Sequence, residues 1–129
     1  TNQSGVARGF FSEEDVISLH KWMDSEMKKR SAEGDGWFYC PFHPKGEGRL
    51  LKGKSLFRKP NPGMLLSAAE KYSIHLEKSL MIGDKLTDII SLRGLKANLI
   101  QGEYPLDGAA VPCFQSHDEL VNYYLSLED

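Results

Sequence analysis

Three features of the sequence predict an α/β fold, a three-layer α/β/α sandwich with a mostly parallel sheet. Helix-like and strand-like segments alternate along the chain. Two short, continuous apolar runs, Ser79-Leu80-Met81-Ile82 and Ala97-Asn98-Leu99-Ile100, read as strands covered on both faces. The helical segments open on capping signals, Ser12 before three acidic residues, Asn61-Pro62, and Ser116-x-x-Glu119.

Taken in order, residues 1–11 hold Gly5 and Gly9 and are expected to form a loop. Ser12 caps a helix whose first turn carries Glu13, Glu14 and Asp15 at the positive end of the helix dipole. Val16, Leu19, His20, Met23 and Met27 recur at helical spacing and predict one buried face. Lys28-Lys29-Arg30 reads as a solvated C-terminal turn. Gly34-Asp35-Gly36 ends that helix, and Trp37-Phe38-Tyr39-Cys40 is expected to be a strand stopped by Pro41. Residues 42–62, rich in Pro, Gly and charge, read as an ordered or partly ordered functional loop. The helix begun at Asn61-Pro62 carries Met64, Leu65, Ala68, Ala69 and Tyr72 on its apolar stripe. After the first apolar strand comes Gly83-Asp84, then an expected helix over 87–93 stopped by Gly94. Val111-Pro112-Cys113-Phe114 reads as a short edge strand, followed by the capped last helix with Leu120, Tyr123, Tyr124 and Leu127.

The chain has 129 residues, which suits a single domain spanning 1–129. Its formal net charge of −2 supplies no footprint for nucleic acid. No apolar run approaches the ~20 residues of a membrane span, so no membrane partner is expected. Two cysteines, Cys40 and Cys113, cannot make a disulfide framework, which favours a reducing, cytoplasmic setting.

Several motifs bear on chemistry. Residues 48–55 fit G-x-x-x-x-G-K-[ST], but no buried strand precedes them and no helix opens at Lys54-Ser55, so they are not read as a nucleotide loop. Gly83-Asp84-Lys85-Leu86-Thr87-Asp88 sets one carboxylate at the carboxyl end of a strand and a second four residues on. Two hard oxygen donors beside a lysine suit Mg²⁺ with a phosphate; equally, Asp84 is a cap and Asp88 a solvated charge. Arg58-Lys59-Pro60 offers a bidentate and a point cation for a phosphoryl group, or a solvent-facing pair. Thr1, Asn2, Gln3 and Ser4, with Arg8 close behind, supply oxyanion-binding groups or a polar turn.

Together these segments resemble the haloacid dehalogenase superfamily of phosphatases, most closely the D-glycero-D-manno-heptose 1,7-bisphosphate phosphatase and histidinol-phosphatase family. The stretches that carry the resemblance are residues 1–9, Tyr39-Cys40-Pro41-Phe42-His43-Pro44, Arg58-Lys59-Pro60-Asn61-Pro62-Gly63-Met64-Leu65 and 81–88. The resemblance implies a haloacid dehalogenase-like, Rossmann-like domain using Mg²⁺ on a small phosphorylated substrate. It implies that Thr1 hydrogen-bonds the phosphoryl oxygen and Lys59 stabilises phosphoryl charge. Asn2, Gln3, Ser4, Arg8 and Arg58 would contact substrate, and Asp84 and Asp88 would serve the metal.

The sequence departs from that family pattern twice. The zinc ligands expected as Cys-Pro-His and Cys-x-Cys are replaced by Cys40-Pro41-Phe42 and Ser55-Leu56-Phe57, so zinc is not expected. The nucleophilic Asp-x-Asp occurs nowhere in the chain. The resemblance therefore reads the chain as N-terminally incomplete, short of a first strand, a helix and their loops, or roughly 30–50 residues. On that reading the chain alone is inactive, and the sheet edge left open is a route to dimerisation. The reading that competes with a phosphatase is a non-catalytic phosphate-binding or interaction module.

Overall fold

The computed structural model describes residues 1–46 and 55–128. The pattern at 48–55 and the middle of the 42–57 loop lie outside the described residues, Ser55 excepted. Chain contacts fall into two compact units, Thr1–Ser67 and Ala68–Asp129.

In the first unit, α1 (Ser4–Ala7) and α2 (Glu13–Lys28) precede α3 (Gly63–Tyr72), whose last residues belong to the second unit. The loop expected over 1–11 is corrected by α1, a single helical turn. Helix α2 begins as its residues predict. The Asp15 N–H donates to Ser12 Oγ at 3.1 Å, and the Ser12 N–H donates to the Asp15 carboxylate at 2.8 Å. Those bonds hold the Asp15 pKa below its ordinary value, the backbone bond from Ser12 contributing most. Helix α2 buries Val16 and His20, one turn apart, while Leu19 is 46% exposed. The apolar stripe is thus narrower than its periodicity predicts.

The strand expected at 37–40 is also corrected. Only Cys40 pairs, in a single parallel bridge with Asn2. The Cys40 N–H donates to Thr1 O at 2.9 Å, and the Gln3 N–H donates to Cys40 O at 2.8 Å. The aromatic side chains of this segment serve α2 instead. Trp37 stacks on His20 with centroids 4.4 Å apart, and its Nε1–H donates to Asp24 at 2.8 Å. Tyr39 donates its hydroxyl proton to Glu13 at 3.0 Å. Burial, followed by that carboxylate, raises the Tyr39 pKa.

The second unit holds a parallel sheet of β1 (Leu80–Gly83), β2 (Lys96–Ile100) and β3 (Cys113–Phe114), in that order. Leu80 lies opposite Lys96 and Gly83 opposite Leu99; Ile100 lies opposite Phe114. Helix α4 (His117–Ser126) covers one end of the sheet, and Ile100, Phe114 and Leu120 form the core with Tyr124 against them. Its cap is half the predicted box: Ser116 Oγ accepts from the Glu119 N–H, but the Glu119 carboxylate takes the Gln115 N–H. A parallel sheet flanked by helices is the α/β class that the alternation predicts.

Two expectations fail in this unit. Strand β1 is not covered on both faces, since Leu80 and Ile82 are each 42% exposed. The helix expected over 87–93 is a single 3₁₀ turn, Leu86–Asp88. Asp88 turns its carboxylate back onto the preceding backbone, a local bond that competes with helix formation. Ile89 is then extended, as β-branched residues tolerate well, and Ile90 is buried. No helix among the described residues is long and apolar enough to cross a membrane.

Candidate functional site

The predicted site residues form two groups, each within its own unit. In the first unit, Asn2 grips the backbone of Lys59. The Lys59 N–H donates to Asn2 Oδ1 at 2.9 Å, and Asn2 Nδ2 donates to Lys59 O at 3.2 Å. Both ends of the amide are thereby engaged, fixing the point from which the lysine side chain departs. The same turn is drawn tight locally. The Asn61 N–H donates to Arg58 O at 2.9 Å, Asn61 Nδ2 to Ser55 O at 2.9 Å, and the Gly63 N–H to Leu56 O at 2.9 Å. A Cβ on Gly63 would lie 2.6 Å from Leu56 O, so only glycine admits this approach. The Lys59-Pro60 peptide bond is cis.

Thr1 Oγ1 accepts a long bond from Gln3 Nε2, 3.5 Å. Ser4 opens α1, and Arg8 follows it with its guanidinium 4.7 Å from the Phe10 ring centroid. Arg58 Nη1 is buried and has no hydrogen-bond partner among the described residues, a donor in want of an acceptor. His43, part of one stretch that carries the family resemblance, belongs to this neighbourhood. Its pKa is held below its ordinary value first by desolvation and then by the charges of Arg58, Arg8 and Lys45. Its Nδ1 accepts from the Lys45 N–H at 3.0 Å. Cys40 is fully buried at the Asn2 bridge.

In the second unit, Asp84 and Asp88 are brought together but differ in surroundings. Asp84 is exposed just past β1, whereas Asp88 is only 3% exposed. Asp88 Oδ2 accepts the backbone N–H groups of Asp84 and Lys85, each at 3.0 Å. Gly83 makes room for this: a Cβ there would lie 2.3 Å from the Asp88 side chain. Asp88 thus folds the turn that presents Asp84.

Asp84 lines a cavity of about 370 Å³ with Ile82, Gly83, Ile100, Gln101, Gly102 and His117. This cavity lies past the carboxyl ends of β1 and β2, where open α/β sheets bind ligands. Gln101, Gly102 and His117 were not singled out from sequence. Their signal was positional: Gln101 and Gly102 follow β2, and His117 follows β3 after the cap residue Ser116. Among the described residues no group of three or more His, Cys, Asp or Glu is gathered to hold a metal. One open carboxylate beside a cavity suits Mg²⁺, which binds through one or two carboxylates and keeps several waters or phosphate oxygens.

A family model described as HAD-hyrolase-like matches residues 56–98. The chain is 44% identical over 96 residues to a D-glycero-beta-D-manno-heptose-1,7-bisphosphate 7-phosphatase of Pasteurella multocida, covering 74% of this chain and 52% of that protein. It is 48% identical over 89 residues to the enzyme of the same name from Photorhabdus laumondii, covering 69% of this chain and 47% of that protein. The chain thus spans about half the length of the curated relatives it matches. A crystal structure of a HAD-like phosphatase from Mesorhizobium loti superposes with a TM-score of 0.83 at 32% identity, covering 99% of this chain and 63% of that one. A D,D-heptose 1.7-bisphosphate phosphatase from B. bronchiseptica, complexed with magnesium and phosphate, superposes with a TM-score of 0.76 at 26% identity, covering 98% of this chain and 72% of that one. In sequence and in fold, the chain is thus similar to haloacid dehalogenase-like phosphatases.

Proposed function

We propose that this protein takes part in Mg²⁺-dependent hydrolysis of a phosphomonoester on a small metabolite, D-glycero-D-manno-heptose 1,7-bisphosphate before histidinol phosphate. The observation that carries this reading is the Asp84 carboxylate, exposed on a cavity past the strand ends and presented by a turn that Asp88 folds. Asp84 would hold Mg²⁺, with Asp88 behind it, and the ion would neutralise charge on phosphoryl oxygens. Lys59, its backbone gripped by Asn2, would offset further phosphoryl charge, and Thr1 would donate a hydroxyl bond. Arg58 Nη1, without a hydrogen-bond partner among the described residues, suits an anionic acceptor, with Arg8, Gln3 and Ser4 as further substrate contacts.

Phosphoryl transfer through an aspartyl-phosphate also needs an attacking carboxylate, and no Asp-x-Asp occurs among these 129 residues. That observation favours a second reading, a phosphate-binding module without turnover. Both readings expect residues 1–129 to bind Mg²⁺ and inorganic phosphate, and both expect Asp84→Ala to abolish the metal-dependent part of that binding. They part on turnover. A gene product extended upstream of Thr1 with an Asp-x-Asp should release phosphate from heptose 1,7-bisphosphate; absence of such a segment selects the binding module. Hydrolysis by residues 1–129 alone, lost in Asp84→Ala, would overturn the assignment of the nucleophile.

A further inference from the structure

We propose that Tyr104 is a positioning residue for Lys85, holding its ammonium group as a fixed cation beside the Asp84 cavity. This rests on the reading that the cavity receives a phosphoryl group. Lys85 Nζ lies 3.9 Å from the centre of the Tyr104 ring. Such a contact attracts the cation to the ring face without neutralising it. Among the described residues Lys85 forms no ion pair, although Asp84 precedes it and Asp88 binds its N–H. A lysine bound to a carboxylate would have its charge cancelled. A lysine bound to an aromatic face stays available to an incoming anion.

Both partners are anchored from behind. Asp88 Oδ2 accepts the Lys85 N–H at 3.0 Å, fixing the backbone from which the side chain leaves. Gln101 Nε2 donates to Gly102 O at 3.0 Å and to Tyr104 O at 3.2 Å, fixing the loop after β2. The same loop passes close to the metal-site candidate, since a Cβ on Gly102 would lie 3.4 Å from the Asp84 carboxylate. Lys85 adjoins Asp84 in the chain, and Tyr104 lies just beyond Gly102; Asp84 and Gly102 line the cavity. A long lysine side chain held in place loses less freedom when it meets an anion, so preorganisation appears as affinity.

The test uses residues 1–129 with inorganic phosphate as probe in the presence of Mg²⁺, followed by calorimetry, and NMR of the Lys85 side chain. The Lys85 methylene signals should be shifted upfield by the ring. Tyr104→Leu should remove that shift and weaken phosphate binding about two- to five-fold, the scale of an exposed cation–π contact. Tyr104→Phe should restore both. In a Lys85→Met background, Tyr104→Leu should have no further effect. Unchanged phosphate affinity in Tyr104→Leu would overturn the proposal, as would equal weakening in Tyr104→Phe, which would assign the effect to the hydroxyl. If Mg²⁺ binds through Asp84 but no variant or parent binds phosphate, the phosphoryl reading of the cavity fails and this proposal with it.

Discussion

Each unit contains a side chain that grips two backbone groups of a candidate functional segment, and the two grips are built differently. Asp88 reaches back three and four residues to the N–H groups of Lys85 and Asp84. Asn2 reaches across 57 residues to the N–H and carbonyl of Lys59. The first is a buried carboxylate accepting twice; the second is a neutral amide that donates once and accepts once. A charged acceptor makes the stronger bonds and leaves the costlier vacancy. The Asp88 grip should therefore carry more stability, and the Asn2 grip more of the long-range positioning.

The largest expected effect follows from removing the charged grip. Asp88→Ala leaves two N–H groups without their acceptor and should cost about 2–4 kcal/mol of unfolding free energy. A shift of the urea midpoint no larger than that of Asp84→Ala, whose side chain is exposed, would show that the turn stands without Asp88. Asn2→Ala should cost less, about 1–2 kcal/mol for a neutral pair of bonds at a half-buried site. It should also weaken phosphate binding through a displaced Lys59. If Asn2→Ala loses more stability than Asp88→Ala, the contrast between charged and neutral grips is wrong.

The smallest effect is a pH dependence confined to the first unit. His20 is buried against Trp37, and desolvation, its first cause, places its pKa below the ordinary 6.5. The unfolded chain therefore binds this proton at higher pH than the folded chain does. Stability from the neutral ring is fully present above about 6.5 and declines as pH falls below that value toward the folded pKa. His20→Gln should flatten this part of the stability–pH curve between pH ~7.5 and ~5.5, the range spanning the histidine titration. An unchanged slope would show that the stack on Trp37 tolerates the charged ring. Aromatic signals of Trp37 provide a local readout, separating His20 from the more exposed His43, whose pKa is lowered as well.

How much was legible in the sequence follows the same division between near and far. The Ser12 cap of α2 and the Ser116 cap of α4 were readable because each bond spans three residues. The strands β1 and β2 were readable as apolar runs between turn signals, and the carboxyl-end position of Asp84 followed from them. The helix expected over 87–93 failed because the Asp88 side chain bonds the backbone behind it. The strand at 37–40 is reduced to one bridge, Cys40 with Asn2, while the side chains of Trp37 and Tyr39 bond to α2.

By itself, then, the sequence determined the α/β class, the order of the motifs and the chemical types available at the site: carboxylates, cations and hydroxyls. Periodicity, caps and residue type are local properties, each specified within a few bonds along the chain. Only the tertiary structure decided that Asn2 holds Lys59, that Asp88 folds a turn while Asp84 faces a cavity, and that Lys85 rests on Tyr104. Those outcomes depend on which distant groups packing brings within hydrogen-bond or ring-contact range. A distance of a few ångströms between residues far apart in the chain leaves no mark on the local pattern of either.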